Sequence, residues 1–148
     1  MSFSQFSGLY QEASNPYLER SDWDWEIDPI GFRIAFRKLY DRYQLPLMVT
    51  ENGLGAYDTL EGNEVHDQYR IDYLEKHILQ MKEAINDGVE IIAYYPWSFM
   101  DVLSTSNGYS KRYGFVYVDR SDEDIKELKR YKKDSFYWYQ KIITANNI

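Results

Sequence analysis

Two short apolar runs, separated by a single helical segment, limit the folds that are open to this chain. Residues 47–50 and 89–95 are predicted to be buried strands, and apolar residues at helical spacing lie before, between and after them. The order helix, strand, helix, strand, helix indicates an α/β fold with parallel strands. Two central strands cannot close a barrel and make a poor isolated sheet. We therefore expect either a piece of a larger fold or a chain that completes itself by self-association.

Local signals predict where the helices begin and end. Asp28 and Pro29 have the residue types of an N-cap and a first helical position, and Pro46 ends that helix. Gly88 lies just beyond the second helix, where a left-handed residue is easily accommodated. The second and third helices are predicted over about residues 67–86 and 132–144, residues 115–118 as a short extended piece, and residues 1–27 as irregular.

Composition and charge exclude several classes of partner. The formal net charge of −7 argues against nucleic acid, because phosphate backbones need a basic face. The chain has no cysteine, which excludes disulfides and thiolate chemistry. No apolar stretch approaches the ~18 residues of a membrane span, and residues 1–9 lack the pattern of a signal peptide. We expect a cytoplasmic location without membrane partners.

Glu51 directly follows the first predicted strand. Enzymes built on parallel barrels place their active sites at the carboxyl ends of the strands, so this position suits a catalytic carboxylate. A carboxylate that caps a turn or pairs with a nearby arginine would occupy the same position. Position alone leaves both interpretations open.

A polar loop follows the second predicted strand. Trp97 lies just beyond the end of that strand, and residues 104–113 concentrate hydroxyl groups and two cations within ten positions. Hydroxyls and an ammonium group together can bind a phosphate. Composition alone favours an ordinary polar surface loop, because most segments of this kind are solvent-exposed turns.

Three motifs in register give the chain a specific family resemblance. Residues 49–53 (Val-Thr-Glu-Asn-Gly) are similar to the nucleophile motif of the family-one glycoside hydrolases, and residues 95–101 and 111–119 resemble that family's closing segment. The resemblance covers residues 15–148 and leaves residues 1–14 unmatched. It implies the C-terminal portion of a (β/α)8 TIM barrel, with about two parallel barrel strands and their flanking helices, incomplete as a barrel.

The resemblance also implies a retaining, double-displacement mechanism without metal or organic cofactor. Glu51 would be the nucleophile, and Trp97 would hydrogen-bond a ring hydroxyl of the sugar. The family's acid/base glutamate lies in a Thr-x-Asn-Glu-Pro motif, and no Asn-Glu-Pro occurs in this sequence. We therefore expect the chain to need the remaining barrel portion for efficient hydrolysis.

One position indicates the subgroup. Ordinary β-glucosidases of the family carry a glutamate where this chain has Ser104, and that carboxylate would repel a 6-phosphate. The resemblance to the phospho-glycosidases implies a phosphate site of Ser104, Lys111 and Tyr113. Thr105, in place of a tryptophan, favours glucosides over galactosides. The implied activity is that of a 6-phospho-β-glucosidase, with substrates such as cellobiose 6-phosphate.

Two other functions remain open. The chain could be a non-catalytic module that binds a phosphosugar, or an inactive piece whose copies bury each other's open barrel faces. His66 and His77 are too isolated for a zinc site. The basic residues at positions 129–133 are interpreted as a solvated helix start, balanced by the acidic residues at 122–124.

Overall fold

The computed structural model describes residues 14–146, so the unmatched segment 1–14 lies outside the described residues except for its last position. Three two-stranded sheets and three helices make up this part of the chain. None of these helices has both the length and the apolar character that crossing a bilayer requires. In chain order the elements are β1 Glu19–Arg20, β2 Glu26–Ile27, α1 Pro29–Tyr43, β3 Leu47–Asn52, α2 Gln68–Asn86, β4 Ile91–Pro96, β5 Val116–Val118, β6 Arg130–Lys132 and α3 Asp134–Ala145.

The parallel pair β3–β4 carries the first core of the molecule. Val49 of β3 is buried, and helices α1 and α2 pack on the same side of the sheet through Phe36 and Ala84. The alternation of helices with two parallel strands is confirmed. It follows from apolar stripes on both helices that need one common sheet face to bury them.

The prediction that both strands are buried is wrong for one face of the sheet. Met48 is 50% exposed and Ile92 is 64% exposed, although both lie within strands. The reason is that α1 and α2 cover only one side of the sheet. The other face of β3–β4 is open in the described part of the chain.

Helix α1 begins and ends where its local signals predict. The Asp28 carboxylate accepts a hydrogen bond of 2.8 Å from the Gly31 amide, and Pro29 occupies the first helical position. At the other end Gln44 adopts a left-handed conformation, and its amide donates to the Tyr40 carbonyl. Pro46 then excludes another helical turn.

Five apolar residues of α2 recur at helical spacing, and three of them are buried. Ile71, Leu74 and Ile78 are buried, Met81 is partly buried, and Ile85 is 47% exposed. Gly88 has a φ of +96°, as predicted, and its amide donates to the carbonyl of Ile85. Burial along this apolar stripe therefore decreases towards the last turn, where Ala84 is the buried residue.

A second core lies between α2, α3 and the strand β5. Leu74, Ile78 and Phe115 form its centre, and Phe136 and Tyr139 of α3 pack against it. The rings of Phe115 and Tyr139 stack with centroids 5.0 Å apart. The short extended piece predicted at 115–118 is confirmed as β5, which pairs with β6.

Residues 19–27 form a small hairpin where an irregular segment was predicted. Strands β1 and β2 have two residues each, and the Arg20 guanidinium pairs with Asp24 in the turn and with Glu26 on the returning strand. A hairpin of this length has no measurable periodicity, so the pattern of apolar residues could not reveal it. Its turn carries Trp23 and Trp25 towards the loop that follows β4.

Candidate active site

Glu51 lies at the carboxyl end of β3, beside the end of β4. The pairing of Asn52 with Pro96 and a 2.8 Å hydrogen bond from the Trp97 amide to the Asn52 carbonyl hold the two strand ends together. Gly53 is required at this junction, because a Cβ there would lie 1.9 Å from the carbonyl oxygen of Trp97. The two loops that leave these strands are thus brought to one edge of the sheet.

The side chain of Glu51 is exposed at this edge. Among residues 14–146 no group donates a hydrogen bond to its carboxylate, and no cation pairs with it. A turn cap or a structural ion pair would require such a partner. The alternative interpretation of Glu51 as a structural carboxylate therefore has no support in the described contacts.

The structure brings the three residues of the predicted phosphate site together. The Tyr113 hydroxyl and the Ser104 hydroxyl are 3.4 Å apart, and the Lys111 ammonium lies 5.7 Å from the centre of the Tyr113 ring. All three residues are buried. The Trp97 ring meets the Tyr113 ring edge-on at 6.3 Å, so Trp97 joins the same group. Glu51 is linked to this group through the backbone at the strand ends.

Lys111 is 3% exposed and is surrounded by aromatic rings instead of carboxylates. Its ammonium lies 3.5 Å from the centre of the Trp25 ring and 5.4 Å from that of Trp23. Burial lowers the pKa of the Lys111 ammonium, and the ring faces compensate only part of the lost hydration. In the described part of the chain no acidic side chain forms an ion pair with Lys111. The arrangement leaves a buried cation available for an anion.

Two tryptophans of this site were missed because residues 1–27 were predicted as irregular. Trp23 and Trp25 reach Lys111 from the turn of the β1–β2 hairpin, about ninety positions away in sequence. Gly55 makes room for the lysine, because a Cβ at that position would lie 2.5 Å from Lys111 Cε. The alternation of Trp and Asp at positions 22–25 was the one available signal, and it does not identify a contact partner.

Backbone pairing fixes the loop that carries the phosphate-site residues. Ala56 and Arg112 exchange two hydrogen bonds of 3.0 Å, which ties the loop after β3 to the loop after β4. Ser104 and Gly108 pair in the same way and close a tight turn. Asp122 accepts a 2.7 Å hydrogen bond from the amide of Tyr109. The loop is therefore ordered by contacts within the described residues.

A buried cluster of six charged side chains, called here the ion cluster, lies beneath these loops. Arg70 pairs with Asp67 and Asp58, both at 2.9 Å. Lys133 contacts Asp58 and lies 2.8 Å from Asp101. The sixth member is Arg112, whose guanidinium lies 2.8 Å from the Asp101 carboxylate. The members are Asp58, Asp67, Arg70, Asp101, Arg112 and Lys133.

The three carboxylates and three cations of the ion cluster balance each other. Burial alone would raise the pKa of Asp58, but the adjacent Arg70 and Lys133 outweigh it and lower that pKa. Burial raises the pKa of Asp67 despite the attraction of Arg70. Burial also lowers the pKa of Lys133. Asp58, Asp67 and Lys133 therefore depend on their oppositely charged partners, because burial alone disfavours the ionised form of each.

The interpretation of residues 129–133 as a solvated helix start is wrong for Lys133. Its side chain is fully buried in the ion cluster, whereas Lys129 is exposed and pairs with Glu127. The partners of Lys133 lie 32 and 75 positions away. Charge balance along the sequence therefore could not identify them.

Within residues 14–146 no three His, Cys, Asp or Glu side chains are grouped so as to hold a metal ion. The His66 ring lies 2.8 Å from the Asp134 carboxylate at the start of α3. The His77 ring stacks on Tyr73, with centroids 4.0 Å apart, and is buried. Both histidines therefore have structural neighbours.

Comparisons with known proteins agree on one family. The sequence model of Glycosyl hydrolase family 1 matches residues 3–148. The aryl-phospho-beta-D-glucosidase BglC of Bacillus subtilis (strain 168) is 56% identical over 139 residues, which are 94% of this chain and 29% of that relative. The 6-phospho-beta-glucosidase AscB of Escherichia coli (strain K12) is 50% identical over 145 residues, 97% of this chain and 31% of the relative.

Solved structures give the same result. A family 1 β-glucosidase from Thermotoga maritima superposes with a TM-score of 0.83 at 38% identity, over 91% of this chain and 30% of that structure. The chain thus spans about 30% of the length of the relatives that it matches. With the family model matching nearly the whole sequence, this chain belongs to glycosyl hydrolase family 1.

Proposed function

We propose that this chain supplies the nucleophile and the phosphate site of a retaining 6-phospho-β-glucosidase. The observation that carries the proposal is Lys111, a buried cation without an acidic partner in the described residues. It lies beside the ring of Tyr113, whose hydroxyl contacts that of Ser104. The names of the relatives, an aryl-phospho-β-glucosidase and a 6-phospho-β-glucosidase, support the same substrate class. Residues 15–148 would form the C-terminal portion of a (β/α)8 barrel.

The phosphate-site residues suit a dianion. The Lys111 ammonium would supply charge, and the hydroxyls of Ser104 and Tyr113 would donate hydrogen bonds to phosphate oxygens. A carboxylate at position 104 would repel that dianion, whereas a serine accommodates it. A phosphate bound to Lys111 would also stabilise the protonated ammonium, whose pKa is lowered by burial in the free chain.

In the proposed reaction Glu51 attacks the anomeric carbon and forms a covalent glycosyl-enzyme, while the aglycone oxygen leaves. Water then attacks the same carbon and releases Glu51. A second carboxyl group, about 5 Å from the first in retaining enzymes, protonates the leaving oxygen and later deprotonates the water. We propose that this acid/base group comes from outside the chain, because its family motif does not occur in the sequence.

The proposed partner is the rest of a family 1 barrel. The face of β3–β4 opposite the helices is open, and Ile92 and Tyr95 on β4 are 64% and 56% exposed. Additional parallel strands would cover this face and pair with the free strand edges. Self-association through the same face would bury it without completing an active site.

Covalent labelling tests the proposal. The chain is incubated with dinitrophenyl β-glucoside 6-phosphate or with the unphosphorylated compound, and its intact mass is measured. Dinitrophenolate leaves without acid assistance, so the first step does not need the missing acid/base group. We expect a phosphate-dependent adduct on Glu51, absent from Glu51→Gln and strongly reduced in Lys111→Met.

Two other outcomes would overturn the proposal. Phosphosugar binding without an adduct would favour the non-catalytic module, an alternative that the preformed group of Ser104, Lys111 and Tyr113 already supports. A folded oligomer that neither binds nor reacts would favour the self-associating inactive fragment. Isothermal titration with glucose 6-phosphate and sedimentation velocity separate these two cases.

A further inference from the structure

The strand that carries Glu51 contains one extra residue just before its end. Val49 pairs with Tyr94 and Asn52 pairs with Pro96, so β3 advances three residues where β4 advances two. Two residues of β3, Thr50 and Glu51, therefore oppose a single residue of β4. Such a bulge changes which side of the sheet the following side chains face.

The bulge determines the direction of Glu51. Leu47 and Val49 pack on the helix side of the sheet, and regular alternation would place Glu51 on that side as well. Glu51 is instead exposed, as is Thr50. Asn52 lies on the helix side, where its amide contacts tyrosines of α2 and β4.

Two hydrogen bonds hold Asn52 on the helix side. Its Nδ2 donates to the hydroxyl of Tyr73 at 3.2 Å, and its Oδ1 accepts from the hydroxyl of Tyr94 at 2.8 Å. Tyr73 is fixed in turn by stacking on His77. Burial raises the pKa of both phenols, so they stay neutral and retain their hydrogen-bonding roles. Leaving the Asn52 side-chain amide without partners among these buried rings would cost free energy. The two hydrogen bonds therefore oppose a shift of β3 to regular alternation of its side chains.

We propose that Asn52, clamped between Tyr73 and Tyr94, is a positioning residue that maintains the bulge and thereby turns Glu51 to the open face. The role of Glu51 as nucleophile rests on the proposed function, whereas its direction rests on the strand register and on the exposure of its side chain. Loss of the clamp lets the strand relax, so that the side chain at position 51 turns towards the helices.

Thiol labelling tests the direction of residue 51 independently of catalysis. The chain has no cysteine, so Glu51→Cys introduces a single thiol whose reaction with a maleimide can be followed by mass. We expect rapid labelling in this variant and a decrease of about fivefold when Asn52→Ala, or Tyr73→Phe with Tyr94→Phe, is added. Tyr40→Phe is the matched control, because Tyr40 packs on the same helix-side core and should leave the rate unchanged.

Thr50→Cys separates loss of the clamp from unfolding. Position 50 faces the open side both with the bulge and with regular alternation, so its labelling rate should not respond to loss of the clamp. Unfolding would instead accelerate labelling at both positions. An unchanged or increased rate at position 51 after removal of the clamp, with the rate at position 50 unchanged, would overturn the proposed role of Asn52.

The labelling also distinguishes this inference from the proposed function. A chain that forms no glycosyl adduct, but whose thiol at position 51 responds to the clamp, would reject the function and retain the positioning role. If the adduct does form, Tyr94→Phe should lower the maximal rate of adduct formation several-fold. The half-saturating concentration of the phosphorylated glucoside should stay constant, because the phosphate site is not altered.

Discussion

In the proposed site, Lys111 supplies the positive charge that a phosphate needs. We expect Lys111→Met to weaken binding of glucose 6-phosphate by about tenfold to a hundredfold, because a hydrogen bond to a charged group contributes roughly 1.5–3 kcal/mol. Binding of glucose itself should change little. Isothermal titration of both ligands measures the difference, with Lys129→Met as the control at an exposed lysine that pairs with Glu127. An equal loss of affinity for glucose and for glucose 6-phosphate would contradict a phosphate-specific role of Lys111.

His66 provides a test of stability against pH. The hydrogen bond and charge of Asp134 raise the pKa of His66 above its usual 6.5. A raised pKa means that the folded state binds the proton more tightly than the unfolded state. The stabilisation is therefore complete below pH 6.5 and is lost as the pH rises through the higher folded-state pKa.

The expected result is a pH-dependent difference between the chain and His66→Gln. Urea unfolding should give a higher midpoint for the unmodified chain in mildly acidic buffer, and the two midpoints should converge in alkaline buffer. Asp134→Asn should remove the same pH dependence. A difference that grows with pH would show that the ion pair is not its source.

At the scale of elements, the ion cluster joins segments that are far apart in sequence. Lys133, at the start of α3, contacts Asp58 in the loop after β3 and Asp101 in the loop after β4. Replacing the lysine by methionine would leave the two buried carboxylates without one of their cations. We expect Lys133→Met to lower the free energy of unfolding by about 3–5 kcal/mol.

Denaturant unfolding measures this loss, and Lys129→Met is the comparison. Lys129 is exposed, so its replacement should change stability by no more than about 0.5 kcal/mol. Similar effects of the two substitutions would mean that the contacts of Lys133 contribute no more than a surface ion pair. Because the ion cluster underlies the loop that carries Lys111, the same variant should also bind phosphate less tightly.

Asp28 and Lys133 show why the sequence predicted some features and missed others, because one has its partner nearby in sequence and the other does not. The cap at Asp28, the end of α1 before Pro46 and the turn at Gly88 depend on neighbours within a few residues, so local patterns predicted them correctly. The partners of Lys133 lie in other elements, and the two-residue strands β1 and β2 have no period to detect. The positions of Ser104, Lys111 and Tyr113 came from the family resemblance, whereas Trp25 became visible only through the fold.

At the scale of the whole molecule, the open face of β3–β4 is the main apolar surface that no element of the described residues covers. The helices cover one side of this sheet, and the other side exposes Met48, Ile92 and Tyr95 beside strand edges that are unpaired in the described residues. Apolar surface next to free strand edges favours association. In a chain about 30% as long as its relatives, the same surface is where the remaining barrel strands would pack.

A substitution at Ile92 tests this role of the open face. Ile92 is 64% exposed and Ile125, in the loop between β5 and β6, is 59% exposed, so the two residues form a matched pair. We expect Ile92→Lys to shift the chain from oligomer to monomer in sedimentation velocity, while Ile125→Lys leaves its association unchanged. Neither should lower the unfolding midpoint of the monomer much, since exposed positions contribute little to the core.

The same two substitutions also test whether the rest of a barrel packs on the open face. A polypeptide comprising the remaining strands of a family 1 relative, mixed with this chain, should restore turnover of the phosphorylated glucoside, because it would contribute the acid/base carboxyl group. Ile92→Lys should reduce that recovery and Ile125→Lys should not. Added strands could cover a lysine on the open face only by burying its charge, which is costly. Recovery that is indifferent to Ile92 would mean that the two polypeptides meet through a different surface.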